Sequence, residues 1–494
     1  MTALLAALPL GVVLVAMTVL HRPAAQAGLV GLLIAVVLAV TVFDISAAAP
    51  DGLAPAAMGT VAEALFSTGT ILWIILPALA LYEYQERCGA LARIRTALVG
   101  LTENRRLQAI LIAWFFSLFI EGAAGFGAPV ALAAPLLVGM GYPPVRAVAL
   151  ALLGHAAGVA FGAVGTPTLA QVQLTGLDPR DLAGTVAMMQ ALAGPVLLLA
   201  MVRLADDGPL TRADISWSLL AWVCFSLPSV AFARLAGPEL PSLGGALVGV
   251  VLFVTLLRRR DARPLPDMSG LLRDLAPYLL ILALVLITRL IGPVQKALRG
   301  PALAWSLPEA FSGRFEPLYH PGTLLFLGLA LAAILTGRMA TLRDAIGPAL
   351  ARLFTVALAL LAMLTLSRVM VHSGMIDTLA GAAAATGGYW PLVAPVIGIL
   401  GTFITGSATT SNILFTEFQT TAATTLALPP LALAAAQGFG SAIGNIVAPH
   451  NIIAGSATVG LVGREGAVLR QTGLICVACA AIGGALALAL ATLT

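Results

Sequence analysis

Long apolar runs separated by short charged loops constrain the fold of this chain more than any other feature. Of its 494 residues, 60% are hydrophobic and only 10% are charged. A soluble domain carries about 25% charged residues, so a soluble protein of this length would lack the surface that keeps it dissolved. A hydrocarbon core of about 30 Å is crossed by about 20 apolar residues in a helix. Runs near that length predict membrane spans at about 3–20, 27–43, 62–82, 184–202, 214–235, 242–257, 275–291, 321–337, 351–371 and 472–492.

The basic residues orient the chain in a membrane and do not indicate nucleic-acid binding. The formal net charge is only +4, and the arginines form short clusters between apolar runs, as in cytoplasmic loops. Keeping the clusters on one side places the N-terminus outside. The segment 292–320, although it carries Lys296, Arg299 and Arg314, is then predicted to form an exterior or amphipathic loop. The clusters are Arg87, Arg93, Arg95, Arg105 and Arg106, then Arg203 and Arg212, then Arg258, Arg259, Arg260, Arg263 and Arg273, and finally Arg338 and Arg343.

The residue types that enzymes use are not grouped as active sites in this sequence. The four cysteines give no disulfide framework, and Cys476 and Cys479 lie in an apolar run that suits helix packing. No His-x-x-x-His, no Gly-x-Ser-x-Gly and no pair of aspartates at membrane depth occurs, although nucleophilic and metal catalysis need such groupings. We therefore predict a protein that is not an enzyme and needs no metal or cofactor. Rings of like charge, which line many channels, are also missing, which favours a carrier.

Two longer apolar regions, 107–177 and 391–462, are interrupted by Gly, Pro and Ser and share landmarks. The four residues from Phe119 recur from Phe403 as Phe-Ile-x-Gly, 284 positions later, and a Pro-Pro pair recurs 286 positions later at Pro429. Two further glycines and a proline recur at an offset of 282. A shared order with nearly constant spacing predicts an internal repeat. The last landmarks are Gly158, Gly162 and Pro167, matched by Gly440, Gly444 and Pro449.

The two copies are predicted to enter the membrane from opposite sides. The first follows the Arg-rich loop 83–106, whereas the second follows 372–390, which contains no Lys or Arg. Inverted repeats with broken helices are the architecture of many secondary transporters, because two related conformations then open to either side. We predict an all-α polytopic membrane protein with about 12–14 transmembrane helices and two inverted repeats, each with a broken helix or re-entrant hairpin. The predicted parts are N-terminal scaffold spans 1–106, a first core 107–202, central scaffold spans 203–371, and a second core with the last span, 372–494.

Each copy contains a segment that cannot be an ordinary membrane helix. The first has three glycines and a proline between Glu121 and Pro129, where Gly costs up to ~1 kcal/mol and Pro ~3 kcal/mol against Ala in a helix. The second, Thr405–Asn412, is rich in hydroxyl and amide side chains. In lipid, broken backbone persists only where it is buried in protein or lines a wet cavity. A single break would suggest close helix packing by small residues, but a matched pair in opposed repeats favours a binding site.

Three ionisable residues in these regions, and Arg368 in the span 351–371, are candidates for transport chemistry. Glu121 is the only carboxylate between Glu103 and Asp178, and a lone membrane carboxyl is suited to carry a proton or to tie the broken helix together. His155 and His450 follow the breaks and suit either proton relay or packing. Arg368 suits either bidentate pairing with a carboxylate or snorkelling to the headgroups.

Five segments of the sequence follow the pattern of one known family. They are Glu121-Gly-Ala-Ala-Gly-Phe-Gly-Ala-Pro-Val130, Gly406-Ser-Ala-Thr-Thr-Ser-Asn412 with Phe415 and Phe418-Gln419, Gly444-Asn-Ile-Val-Ala-Pro-His-Asn451, Ala454 to Gly466, and Arg368 to Met375. With these segments the sequence resembles the bacterial L-lactate permease family. Both repeats match well, whereas the spans 205–350 match only loosely. The sequence departs from the family where Gly154-His155 stand near an expected Asn-Thr, which affects substrate preference, and members are usually longer.

The resemblance implies proton-coupled uptake of lactate, often also of glycolate, by a multi-pass protein of the bacterial inner membrane. It also implies scaffold and transport domains with an elevator-like motion. We therefore expect a proton symporter for L-lactate or a related short 2-hydroxy monocarboxylate. A different small carboxylate, or sodium coupling, is the alternative. The expected partners are the anion, protons and the lipid bilayer, with no nucleic acid, and a homodimer is left open.

The predicted site lies between the two breaks. Glu121 is predicted to couple the proton. Helix N-termini at the breaks carry about half a positive charge and free N–H donors that attract a carboxylate. The predicted substrate-binding residues are Gly125, Gly127, His155, Arg368, Ser407, Thr410, Ser411, Asn412, Asn445, His450 and Asn451.

Overall fold

The computed structural model of the chain describes residues 2–20, 22–49, 52–125, 127–259, 268–307, 311–461 and 463–493. Among the residues that the sequence predictions name, Phe126, Arg260, Arg263 and Val462 lie outside these ranges, as do residues 308–310 of the predicted loop 292–320.

The N-terminal and central parts are helical apart from one short β-hairpin. The N-terminal helices are α1 Thr2–Thr18, α2 Ala24–Thr41, α3 Leu53–Arg87 and α4 Ala90–Val99, with a 3₁₀ turn at Ile45–Ala48. The central elements are α11 Arg212–Ala236, α12 Pro241–Arg258, α13 Met268–Leu290, α14 Gly292–Arg299, β1 Leu303–Ser306, antiparallel β2 Ser312–Phe315, α15 Pro321–Leu335, α16 Met339–His372 and α17 Met375–Ala384.

The remaining helices form the two copies of the repeat. The first copy contains α5 Arg105–Ala109, a π-helical segment Ile110–Phe116, α6 Ser117–Ala123, α7 Ala128–Gly139, α8 Pro144–His155, a 3₁₀ segment Ala156–Phe161, α9 Gly162–Thr175 and α10 Pro179–Ala205. The second copy contains a 3₁₀ turn Gly387–Tyr389, α18 Trp390–Thr405, α19 Ala408–Thr425, α20 Pro430–Gly444, α21 Pro449–Thr458 and α22 Glu465–Leu493.

Twelve helices in the described part of the chain are long and apolar enough to cross a membrane. Large apolar side chains such as Phe354 and Leu474 point outward from them, which suits a surface covered by lipid and not by water. The prediction of an all-α, multi-pass membrane protein is therefore confirmed, with the β1–β2 hairpin as a small addition. That hairpin and the amphipathic α14 lie within the segment 292–320, which was predicted to be an exterior or amphipathic loop.

The first break lies at the tip of a re-entrant hairpin. Arg105, where α5 begins, donates to the Gly141 carbonyl at 2.9 Å just after α7 ends. The Tyr142 hydroxyl donates to the Arg105 carbonyl. Because the two arms start and finish together, the chain enters and leaves on the same side. We call this side the inner face and the pair of arms hairpin 1. Gly125 and Gly127 lie at its tip.

The second break lies at the tip of another hairpin, formed by α18 and α19. The Trp390 indole donates to the Gln419 side chain at 2.9 Å near the base. Closer to the tip, the Ser411 hydroxyl donates to the Gly398 carbonyl at 2.9 Å. The pairs 390–419 and 398–411 run in opposite order, so the arms are antiparallel. The tip of this hairpin 2 is Gly406-Ser407.

Hairpin 2 enters from the face opposite to hairpin 1. Helix α10 has 27 residues, about 40 Å at 1.5 Å per residue, and its end returns to the inner face, where Asp207 pairs with Arg146. Helix α9, which precedes α10, therefore ends at the outer face. Asn412 binds the Pro167 carbonyl at 3.1 Å and Gln171 binds Thr416 at 3.0 Å, so α19 runs parallel to α9 and also ends outside. The inverted repeat is confirmed.

The local sequence explains the matching boundaries of the two copies. Helices α8 and α20 both begin with proline at the first helical position, Pro144 and Pro430, where the missing N–H has no helical partner in any case and the fixed φ suits a helix. Helices α10 and α22 begin at Pro179 and Glu465, the same 286 positions apart. Around the copies, α16 packs along α3 and α2. The division into four domains stays a prediction.

Candidate functional site

The tips of the two hairpins meet at one cavity of about 60 Å³. Such a volume holds a few water molecules, and it lies at the centre of the inverted repeat. Hairpin 1, hairpin 2, and the breaks before α9 and after α20 all contribute to its wall. The lining residues are Glu121, Gly125, Gly127, Val159, Gly162, Ala163, Thr166, Pro167, Gly406, Ser407, Ala408, Thr409 and Asn445.

The backbone of hairpin 1 turns through positions that favour glycine. Gly125 and Gly127 have φ of 57° and 80°, in the left-handed region that side chains with a Cβ rarely adopt. A Cβ on Gly125 would also lie 3.0 Å from the Ala163 amide nitrogen. The tip of hairpin 1 therefore needs glycine both for its conformation and for its contact with the start of α9.

The Glu121 carboxyl group lies beside the contact between the tip of hairpin 1 and the start of α9. It lies in the last turn of α6 and is 5% exposed. A Cβ on Gly162 would be only 2.1 Å from the Glu121 Oε1, so glycine at 162 makes room for the carboxyl group. Within the described residues, no side chain or backbone group forms a hydrogen bond or ion pair with it. Both predicted roles of Glu121, proton carriage and tying the broken helix together, stay predictions.

Hairpin 2 offers hydrogen-bond donors to the same cavity. Ser407 caps α19, and its hydroxyl accepts from the Thr410 amide at 3.3 Å. The backbone amides of Ala408 and Thr409, the first two residues of α19, have no hydrogen-bond partner within the part of the chain that the structure describes. Both residues line the cavity. A helix N-terminus with free N–H groups attracts negative charge, so this wall suits a carboxylate.

The break after α20 completes the wall with an amide pair. Asn445 lines the cavity, and its side-chain oxygen accepts from Asn451 at 2.6 Å. His450 packs against the tip of hairpin 2, because a Cβ on Gly406 would lie 2.8 Å from the His450 Cβ. Asn451 and His450 thus support the wall from behind. Gly125, Gly127, Ser407 and Asn445 are the predicted binding residues that reach the cavity itself.

Three other predicted residues on α19 hold the helix in place. The Ser411 hydroxyl bonds to Gly398, and the Asn412 amide bonds to the Pro167 carbonyl, which lies beside the cavity. Thr410 uses its backbone amide in the Ser407 cap. Their side chains are buried, but none of the three lines the cavity. A direct contact between these residues and substrate stays a prediction.

The remaining two predicted residues lie away from the cavity wall. His155 is buried, and its Nδ1 lies 2.7 Å from the Ala151 carbonyl one turn earlier on α8. Arg368 on α16 pairs with Glu417 on α19 and lies 3.8 Å from Glu63 on α3. Neither His155 nor Arg368 lines the cavity.

Several cavity residues, among them Thr166 and Thr409, are not among the binding residues predicted from the sequence. Gly162 and Pro167 are landmarks of the repeat, and this signal could have marked the start of α9 as part of the site. There, Ala163 and Val164 have φ of 43° and 55°, a left-handed turn without glycine at either position. Such strain is found at sites where the surrounding structure imposes it.

The chain is similar to known proteins over most of its length. The L-lactate permease family matches residues 2–311 and 295–494. The glycolate permease GlcA of Escherichia coli (strain K12) is 30% identical, over 96% of this chain and 92% of that protein. The L-lactate permease of Streptococcus iniae is 31% identical, over 88% of this chain and 93% of that protein.

A further relative, the L-lactate permease of Bacillus subtilis (strain 168), is 28% identical over 96% of this chain and 92% of that protein. The matches extend through both repeats and through the central spans between them. The resemblance that the break motifs indicated is confirmed, and the chain belongs to the L-lactate permease family.

Proposed function

We propose that the protein carries a short 2-hydroxy monocarboxylate, L-lactate or glycolate, across the bacterial inner membrane together with a proton. The observation that supports this most is the shared cavity, in which a lone carboxyl group from one repeat and the N-terminus of a helix from the other form parts of one wall. The names of the relatives, L-lactate permease and glycolate permease, support the same class of substrate.

The anion is bound in this proposal by the donors of hairpin 2. Its carboxylate accepts from the amides of Ala408 and Thr409, where the helix dipole adds a positive partial charge. The Ser407 hydroxyl and the Asn445 side chain, which line the same wall, bond to the remaining oxygens. Each of these groups is neutral, so the guest brings the negative charge into the cavity.

Glu121 couples the proton to the anion. A second negative charge beside the guest would repel it strongly, because charges interact over short distances with little screening in a protein interior. A proton on Glu121 removes that repulsion, so the anion and the proton bind together more favourably than either alone. This is the thermodynamic condition for symport, since reciprocal coupling between two ligands is required by linkage.

The inverted hairpins supply the access. Each tip closes the cavity towards one face, and the two arrangements are related by the symmetry of the repeat. An outward opening displaces one hairpin or its supporting helices, and an inward opening displaces the other.

The proposal is tested with the purified protein in proteoliposomes. Uptake of labelled L-lactate is measured with an inward proton gradient, an inward sodium gradient, or neither. We expect accumulation only with the proton gradient, and competition by glycolate. Accumulation that follows the sodium gradient alone would disprove proton coupling, and no uptake of any 2-hydroxy acid under any gradient would disprove the substrate class.

A further inference from the structure

A second polar pocket, of about 480 Å³, lies at the outer face away from the hairpin tips. It is formed where α9 joins α10, where α11 joins α12, and where α13, α14 and the β-hairpin come together. The proposed function does not use it. Its polar wall includes Arg180, Glu239, Arg289, Arg299, Arg314 and Tyr319.

The wall of this outer pocket carries more positive than negative charge. Four arginines face three carboxylates, those of Asp178, Glu239 and Glu316. Burial and the nearby Arg289 lower the pKa of His320 to about 4, so this histidine is neutral at pH 7 and adds no charge. The rim arginines Arg299 and Arg314 are at least half exposed, and both pair with Glu316, so the positive charge in excess of the carboxylates amounts to one arginine. A small anion arriving from the outer solution is therefore attracted to the pocket.

The floor of the pocket is a buried ion pair. Arg289, in the last turn of α13, bonds through Nη2 to the Glu239 Oε1 at 2.5 Å. Its guanidinium also lies 3.7 Å from the centre of the Tyr319 ring. Among the described residues, the Arg289 Nε and the Glu239 Oε2 have no hydrogen-bond partner. The pair therefore leaves donor and acceptor capacity unused.

Only one loop separates this floor from the cavity at the hairpin tips. A Cβ on Gly165 would lie 2.2 Å from the Pro238 carbonyl oxygen and 3.1 Å from the Glu239 amide nitrogen. Gly165 belongs to the left-handed turn at Ala163–Gly165, and the next residue, Thr166, lines the tip cavity. Leu169, one turn further along α9, lines the outer pocket. Helix α9 thus borders both spaces.

We propose that the outer pocket is a second binding site for the transported carboxylate, with Arg289 as its anion-binding residue. The guest carboxylate competes with Glu239 for the guanidinium, as a planar anion that fits its fork of donors. Release of Glu239 allows the loop at Pro238 and Glu239 to move away from Gly165. The barrier between the outer pocket and the tip cavity then becomes more mobile. This inference rests on the proposed function, because the guest is the same 2-hydroxy monocarboxylate.

The binding is tested by protection of a cysteine, which requires no transport. In a Cys88→Ser background, Gln295→Cys places a thiol in the pocket wall, and Lys296→Cys places one on the exposed neighbouring position outside it. Labelling by a membrane-impermeant thiol reagent is timed with and without L-lactate. We expect L-lactate to slow labelling of Gln295→Cys at least fivefold and of Lys296→Cys less than 1.5-fold. The uncharged methyl lactate should protect neither position.

Arg289 is tested in the same assay. Protection of Gln295→Cys should disappear with Arg289→Gln and persist with Arg289→Lys, which keeps the charge and reports that the fold is intact. Equal labelling with and without L-lactate, or protection that survives Arg289→Gln, would overturn the proposal. If Gln295→Cys is unprotected while wild-type proteoliposomes still accumulate lactate, the outer site is wrong and the proposed function stands. If the wild-type protein transports no 2-hydroxy acid, the proposed function itself fails.

Discussion

At the scale of single residues, the space around the Glu121 carboxyl group in the cavity depends on small neighbouring residues. Glu121 fits because Gly162 and Gly125 leave space beside its carboxyl group, and all three residues belong to the cavity wall. A carboxyl group without a partner is costly to bury unless it is neutral or matched by a ligand. The composition of this wall therefore makes the state of Glu121 sensitive to what occupies the cavity.

Replacement of Glu121 by glutamine should separate the proton from the anion. Glu121→Gln keeps the size of the side chain but cannot exchange a proton. We expect loss of accumulation driven by a proton gradient, while exchange of labelled for unlabelled L-lactate continues. Both are measured in the same proteoliposomes. Accumulation at the wild-type level would remove Glu121 from the coupling mechanism.

A methyl group at Gly162 should disturb the same carboxyl group without changing any charge. In Gly162→Ala, the new Cβ would stand 2.1 Å from the Glu121 Oε1, so the Glu121 side chain must move. We expect the rate of proton-driven uptake to fall at least tenfold, with normal yield of folded protein. Gly139→Ala, at a helical position with no neighbour within 4 Å, is the control. Wild-type uptake by Gly162→Ala would show that the position of Glu121 is not critical.

At the scale of helices, the sequence predicted which segments break but not how the broken ends are held. Gly and Pro between Glu121 and Pro129, and polar residues in Thr405–Asn412, were sufficient to locate both hairpin tips, because their effect on a helix is local. The left-handed turn at Ala163–Gly165 was not predicted. It depends on contact with Pro238 and Glu239, residues more than 70 positions away, and no local preference favours it at alanine or valine.

The same distinction applies to the polar residues of α19. Their side-chain chemistry predicted a binding site for substrate, and the structure places Ser407 at the cavity. The side chains of Ser411 and Asn412 instead form hydrogen bonds with neighbouring helices. A helix N-terminus binds anions with its backbone, so the side chains in its first turns are free to fasten it. Sequence alone cannot separate these uses, because the partner is a backbone carbonyl on another helix.

Asn412 should therefore affect stability. Asn412→Ala removes the bond to the Pro167 carbonyl, and a buried hydrogen bond contributes about 1 kcal/mol. We expect the free energy of unfolding in detergent to fall by about that amount. Thr424→Ala, which removes an exposed bond within α19, is the control and should change little. Unchanged stability together with a raised KM would instead assign Asn412 to substrate binding.

At the scale of the whole molecule, an ion cluster connects the N-terminal and central helices to hairpin 2. Arg368 on α16 pairs with Glu417 on α19 and approaches Glu63 on α3. Ser367 donates to Glu417 at 3.0 Å, and the His372 Nε2 lies 2.8 Å from Glu63. Three helices that are distant in sequence meet at this one guanidinium.

Loss of that guanidinium should weaken the whole assembly. Arg368→Gln leaves the Glu63 and Glu417 carboxylates without their shared cation, and breaking a buried ion pair costs about 3 kcal/mol or more. We expect a clear drop in the thermal unfolding temperature in detergent. Arg352→Gln, on the same helix but half exposed in its pair with Glu83, should cost under about 1 kcal/mol. Equal effects of the two variants would contradict a central role for the cluster.

The inverted hairpins also predict how transport responds to lactate on the far side. In the proposed alternating access, an anion crosses only when the protein rearranges, and unlabelled lactate inside the vesicle competes with labelled lactate for the return step. Vesicles preloaded with unlabelled L-lactate should therefore take up labelled L-lactate to a transient excess over equilibrium, without any ion gradient. Vesicles without internal lactate serve as the control and should show no excess. A continuous pore would let the label equilibrate at the same rate in both, and that outcome would rule out alternating access between the two hairpins.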